Sequence, residues 1–359
     1  MSDPPATWSW SPPAQEKVSA GSRSLADRLQ ECAGDRSASG RAVTREAAEE
    51  LKAWLAERPR GWGQDSHTSA GLELEQGWDA WSRAHGWRGP CASLLDSLRR
   101  AHALARGGKR EGGIQRALTE ELDYWLLPET KASRSHNPPD GEDQPWTGEA
   151  LTPGARLPSR RSVAEFAAAS LEHGENVLVY GYSETVALAL CVAQDAGKQP
   201  KVTVGVGVPD QSGKRMAREL AERDVQVRLV WDAVALASAP GADRIWLGTD
   251  ALGPGRFIGL VGTELLLGEA KRAEVPVDLL ATCDKWVPGG ELALPIWGAD
   301  ETWNLWSQAP QGAALESQPY ESTSWDLVGA CMTEHGLETL ADFSLRGMRT
   351  DTASACVEL

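Results

Sequence analysis

Between residues 176 and 282 the chain repeats one unit: a short apolar run rich in β-branched residues, then a helical stretch, with brief connections. The runs are 176–182 (NVLVYGY), 201–207 (KVTVGVG), 225–231 (VQVRLVW), 244–248 (RIWLG) and 277–282 (VDLLAT). Helical patterns fill 184–196, 212–223, 232–239 and 262–273. Strands that are apolar on both sides and separated by helices form a parallel sheet covered on both faces. Ligands bind such sheets outside the carboxyl ends of the strands, where the strand order reverses. The loops 181–184, 208–213, 231–233, 248–255 and 282–290 are therefore the ones that matter.

Ahead of this region the period is 3.6 rather than 2. Leu25, Leu29 and Cys32 share one helical face; Ala47, Ala48, Leu51, Trp54 and Leu55 share another. Leu94, Leu95 and Leu98, then Ile114, Leu118, Leu122 and Trp125, continue it. Residues 58–77, rich in Gly, Pro and Ser, read as loop. The prolines of 128–160 mark a linker. The expected organisation is an irregular arm (1–23), a helical amino-terminal domain (24–127), the linker (128–160), a Rossmann-like carboxyl-terminal domain (161–345) and a tail (346–359).

Charge and cysteine usage narrow the function classes. The net charge of −15 repels phosphate backbones, so direct nucleic-acid binding is not expected. No apolar run reaches membrane-spanning length and the start lacks a secretory pattern, so neither a membrane nor export is expected. The six cysteines are scattered, with no CxxC and no Cys–His pair at metal-ligand spacing. They read as reduced thiols of a cytoplasmic protein, with no metal and no cofactor.

Several segments have two readings. The glycine-rich turn 205–213 ends at a helix start carrying Lys214 and Arg215, which suits a phosphate; a tight turn with a solvated basic pair explains it equally. Gly181-Tyr182-Ser183-Glu184-Thr185 approximates a G-x-S-x-G elbow, with Asp300 and His335 completing a hydrolase triad. Against that, Ser183 serves as a helix cap. Asp250, in the loop after 244–248, is either an acid/base or the maker of an Asx-turn. Cys191 reads as core, while Cys283, beside Asp284 and Lys285, is a candidate reactive thiol.

Taken in order, these segments resemble the family of the alpha, beta and delta subunits of eukaryotic translation initiation factor 2B, which also holds isomerases of methylthioribose 1-phosphate and ribose 1,5-bisphosphate. Residues 177–186 (VLVYGYSETV) look like its strand, "HSYS" loop and helix start; 212–220 (SGKRMAREL) like "QGRRMAxEL"; 243–252 (DRIWLGTDAL) like "DKVLVGADAI". Residues 261–265 (VGTEL) resemble "IGTYQ", 282–286 (TCDKW) "SYKF", and 333–336 (TEHG) the closing "TExG". The resemblance implies a helical domain before a Rossmann-like one, a homodimer, and a phosphorylated sugar or nucleotide as ligand. It places ligand contacts at Gly181, Tyr182, Ser183, Gly213, Lys214, Gly262, Thr263 and Lys285, with Asp250 as the catalytic carboxylate if chemistry survives. The isomerases use a cysteine where Gly181 stands, so the implied reading is a regulatory-subunit-like protein, non-catalytic or altered. An aldose–ketose isomerase using Asp250 is the alternative, and a serine hydrolase using Ser183 the second.

Overall fold

The computed structural model describes residues 23–32, 40–58, 69–86, 88–107, 113–126, 160–287, 291–294, 305–306, 308–339 and 341–343. Most of the arm, the linker and the tail lie outside them, as do Asp300 and Cys356.

Five helices come first: α1 (Leu25–Glu31), α2 (Gly40–Ala56), α3 (Ser69–His85), α4 (Gly89–Arg106) and α5 (Gly113–Trp125). Ser24 and Asp27 start α1 with reciprocal side-chain to backbone bonds. The predicted apolar faces meet in one core, where Leu29, Leu51, Trp54, Leu94, Leu98 and Leu122 are buried. The expected loop over 58–77 is overturned from Ser69 onward, because α3 begins there and buries Leu74, Trp78 and Trp81. Two glycines concealed the helix. Gly77 is where α1 crosses, and a Cβ there would run into the Leu25 side chain. Tertiary contact outweighs the helix penalty of about 1 kcal/mol per glycine.

After α6 (Arg160–Ser170) the alternation begins: β1 (Asn176–Tyr180), α7 (Glu184–Asp195), β2 (Lys201–Gly205), α8 (Gly213–Ala221), β3 (Gln226–Val230), α9 (Asp232–Ser238) and β4 (Arg244–Leu247). Then come β5 (Leu252–Gly253), β6 (Arg256–Leu260), α10 (Thr263–Arg272), β7 (Val277–Leu280), β8 (Tyr320–Ser324), β9 (Ala330–Thr333) and β10 (Gly336–Glu338). Seven strands form one sheet in the order β10-β9-β7-β4-β1-β2-β3, parallel throughout except for the β9–β10 hairpin. The pleat divides the apolar runs as expected. Val177 and Val179 face a core shared with α6, α7 and α8, while Leu178 and Tyr180 face one shared with α9 and α10. The fold is thus a Rossmann-like parallel sheet with helices on both faces, preceded by a helical region. The stretch expected as a loop, 248–255, instead holds β5, which joins β6 and β8 in a small antiparallel sheet.

A buried polar cluster ties the central strands together. The Asp278 carboxylate accepts from Trp246 Nε1 (3.1 Å) and Arg244 Nη1 (3.0 Å), and Arg244 Nε donates to Glu175 (3.0 Å). Burial pushes Asp278 above the usual carboxylate range, and Arg244 opposes that shift.

Candidate functional site

The order of strands reverses beside β1. The chain runs from β1 through β2 to β3 on one side, then returns to β4 on the other. The crevice outside the carboxyl ends of β1 and β4 holds a cavity of about 100 Å³, room for a small polar ligand. It is lined by Tyr182, Ser183, Asp250, Thr263 and Lys285, five of the residues expected from sequence. Arg41, Arg160, Asp210 and Tyr320 line it too and were not singled out.

Each side chain is positioned by a specific contact. Ser183 caps α7, its side chain accepting from the Val186 N–H (3.4 Å), and it abuts Gly248, where a Cβ would collide with its hydroxyl. Asp250 does not make its own turn. Thr249 does, its hydroxyl accepting from the Ala251 N–H (3.2 Å) and lying 2.8 Å from both Ala251 O and Ile258 O, while the Asp250 carboxylate faces Lys285 Nζ at 3.7 Å. Thr263 donates to Leu260 O (2.6 Å). Tyr182 lies beneath the Arg215 guanidinium, 4.1 Å from its ring, and donates to Glu219 (3.0 Å). Burial, followed by the charge of Glu219, pushes its phenol well above the usual range.

The helical region supplies one wall. Gly89 N–H donates to the Asp250 carbonyl (2.8 Å), and Ser93 Oγ donates to the Asp284 and Trp286 carbonyls (3.2 Å each). Arg41 Nη2 lies 3.1 Å from the buried Asp284 carboxylate. Arg160 pairs with Glu184 at the start of α7. Three cations, each held by an acid, thus surround the cleft. Burial pushes Asp210 upward, while its bond from the Ser212 N–H opposes this.

The glycine-rich turn behaves differently from its phosphate-binding reading. At the start of α8 the Ser212 N–H is taken by Asp210 (3.0 Å), that of Gly213 by Val206 O (2.8 Å) and that of Lys214 by Gln211 O (3.0 Å). The Lys214 side chain is exposed and lies outside the cavity lining. Gly213 is there for packing, since a Cβ would strike the Gly205 carbonyl. At α10, Gly262 takes φ +96° and the Glu264 N–H goes to Glu321 (2.6 Å). Gly181 takes φ +73°, and a Cβ there would meet Leu260. The serine-hydrolase geometry finds no support: β1 and β9 are three strand spacings apart, about 14 Å, so His335 does not reach Ser183. Cys191 is buried, and burial raises its thiol. Cys283 is half-buried at the end of β7 and outside the cleft lining. Among the described residues no helix is long and apolar enough to cross a membrane.

The fold and several segments recur in known proteins. The sequence profile of the initiation factor 2 subunit family matches residues 154–339, more than half of the chain. A protein of Pyrococcus furiosus described as a putative translation initiation factor eIF-2B subunit 2-like is 24% identical over 186 residues, 50% of this chain and 63% of that one. The ribose 1,5-bisphosphate isomerase of Thermococcus kodakarensis is 29% identical over 127 residues, 35% of this chain and 39% of the isomerase. The chain thus spans less than two thirds of either relative. Among solved structures, the Pyrococcus horikoshii translation initiation factor eIF-2B superposes with a TM-score of 0.66 at 15% identity, covering 89% of this chain and 98% of that one. The 5-methylthioribose 1-phosphate isomerase of the same organism gives 0.61 at 13%, covering 92% and 88%. At those identities the structural likeness shows a common fold. The sequence match over 154–339 carries the assignment, and the chain belongs to the initiation factor 2 subunit family.

Proposed function

We propose that the cleft binds a phosphorylated sugar or nucleotide, and that the chain is a regulatory-subunit-like member of its family in which isomerase chemistry is lost or altered. The observation that carries this is the convergence of Arg41, Arg160 and Lys285 on one cavity in a chain of net charge −15. Beside them stand three carboxylates, Glu184, Asp210 and Asp250. Cations suit a phosphate, and carboxylates accept from sugar hydroxyls. The protein would work in the cytoplasm as a homodimer, as the family resemblance implies; sedimentation at micromolar concentration showing only a 38.6 kDa species would remove the dimer.

A thermal-shift screen of pentose phosphates and nucleoside monophosphates tests the reading, because a ligand that binds only the folded state raises the midpoint. A ligand present at 100 times its Kd is expected to add about 2.7 kcal/mol. Asp250→Asn keeps the shape and removes the charge, so the shift from the best ligand should fall sharply while the unliganded midpoint stays. An unchanged shift places the site elsewhere.

The isomerase alternative is favoured by one observation, the Asp250 carboxylate held beside Lys285. Restoring the thiol separates the two readings. Gly181→Cys puts a side chain in a left-handed backbone position against Leu260. It is expected to lower stability by about 1–2 kcal/mol and to give no turnover of ribose 1,5-bisphosphate or methylthioribose 1-phosphate. Turnover by the native chain would establish the alternative instead.

A further inference from the structure

We propose that Cys283, Glu334 and His335 form a binding site for a soft divalent transition-metal cation of the zinc class, next to the cleft but outside it. One thiol sulfur, one carboxylate oxygen and one imidazole nitrogen lie within 4.8 Å of one another. Cys283 follows β7, and Glu334-His335 follow β9; the two strands pair in parallel, with Leu280 opposite Met332. The ligand set therefore sits at neighbouring strand ends, assembled from residues 51 positions apart.

The supports for these side chains are already in place. The Cys283 N–H donates to both Glu334 oxygens (3.3 and 3.1 Å), which orients the carboxylate beside the sulfur. Glu334 and His335 form the whole loop of the β9–β10 hairpin, because Thr333 pairs directly with Gly336. The His335 N–H donates to Thr333 Oγ1 (3.1 Å), and that hydroxyl donates to Glu338 (2.7 Å), fixing the loop from behind. His335 is exposed and Cys283 and Glu334 are half-buried, so an ion has a path in. Metal–ligand bonds of about 2.0–2.3 Å require the three atoms to close by roughly 1 Å, a movement that the exposed imidazole allows.

Sulfur, nitrogen and oxygen together favour zinc over calcium or magnesium, which take oxygen ligands alone. Three protein ligands leave a fourth tetrahedral position for water or an added ligand. Cys283 also opens the helical turn that carries Asp284, the partner of Arg41, and Lys285, the partner of Asp250. A bound ion would hold that turn through a residue outside the cavity lining.

Metal analysis of the full chain after equilibration with Zn²⁺ and gel filtration tests the site. One zinc per chain is expected, with a raised thermal midpoint. Co²⁺ in its place is expected to give thiolate-to-metal charge-transfer absorption in the near ultraviolet. Cys283→Ser and His335→Ala should each weaken binding by at least about tenfold, and Cys283→Ser should abolish the charge-transfer band. Cys356→Ser serves as the control and should change nothing. Substoichiometric zinc, a cobalt spectrum without the thiolate band, or binding indifferent to both ligand variants overturns the proposal. Because His335 is exposed, His335→Ala keeps the test valid even if Cys283→Ser folds poorly.

Discussion

Arg244→Met is expected to destabilise the protein by about 3–5 kcal/mol, the usual effect of removing one partner from a buried ion pair. Asp278 is 7% exposed, and its carboxylate rests on Arg244 and the Trp246 indole. Without the guanidinium only the indole remains. The pH dependence has a definite sign. Burial already holds Asp278 above 3.8, so the native state keeps its proton to a higher pH than the unfolded chain does. Its contribution is therefore most favourable at low pH and declines as pH rises through the folded value. Removing Arg244 raises that value further and widens the window. Urea unfolding should show a larger deficit at pH 8 than at pH 5, and Asp278→Asn in the Arg244→Met background should recover much of it at pH 8. An equal deficit at both values would assign the loss to side-chain packing.

Gly89→Ala is expected to damage the cleft from outside it. Gly89 opens α4 and lies against the Lys285 backbone, where a Cβ would strike the carbonyl oxygen. The collision involves main chain on both sides, so no rotamer relieves it. The variant should lose about 1–3 kcal/mol through overpacking. It should also push α4 away from the turn carrying Lys285 and lose the N–H bond to Asp250 O. Affinity for the ligand found by the screen should drop by at least about tenfold. Binding at full strength in a folded Gly89→Ala protein would show that the helical region is not a wall of the site.

The parallel core was legible because each strand announces itself: VLVY, VTVG and RIWL are compact apolar runs with helical patterns between them. The small sheet was not. β5 has two residues and β8 reads YESTS, so neither presents an apolar run, and β6 is a lone short run whose partners in the sheet are those two. In the cleft, Ser183, Asp250, Thr263 and Lys285 follow from the rule about strand ends. Arg41 and Arg160 carry no local mark, since they stand on helices and reach the cavity only through the packing of the chain. The turn at 205–213 kept two readings for a different reason. Free N–H groups at a helix start are visible in a sequence, but Asp210 and the Val206 carbonyl consuming them are not. Cys283 and His335 failed every short-range metal spacing because the strands, rather than a contiguous motif, bring them together.

The pairing of β6 with β8 imposes an order in time. Arg256 and Ser322, which bond across that pair, are 66 positions apart, and Tyr320 of β8 completes the cavity lining opposite Leu260 of β6. On a ribosome adding about 5–20 residues per second, β6 emerges and waits roughly 3–13 s for its neighbour. Through that interval β1 to β4 can already assemble, yet the crevice stays open on one side. A nascent chain stalled before residue 320 would hold β1 to β4 and β7 but lack β8, β9 and β10, and the crevice would stay open beside Leu260.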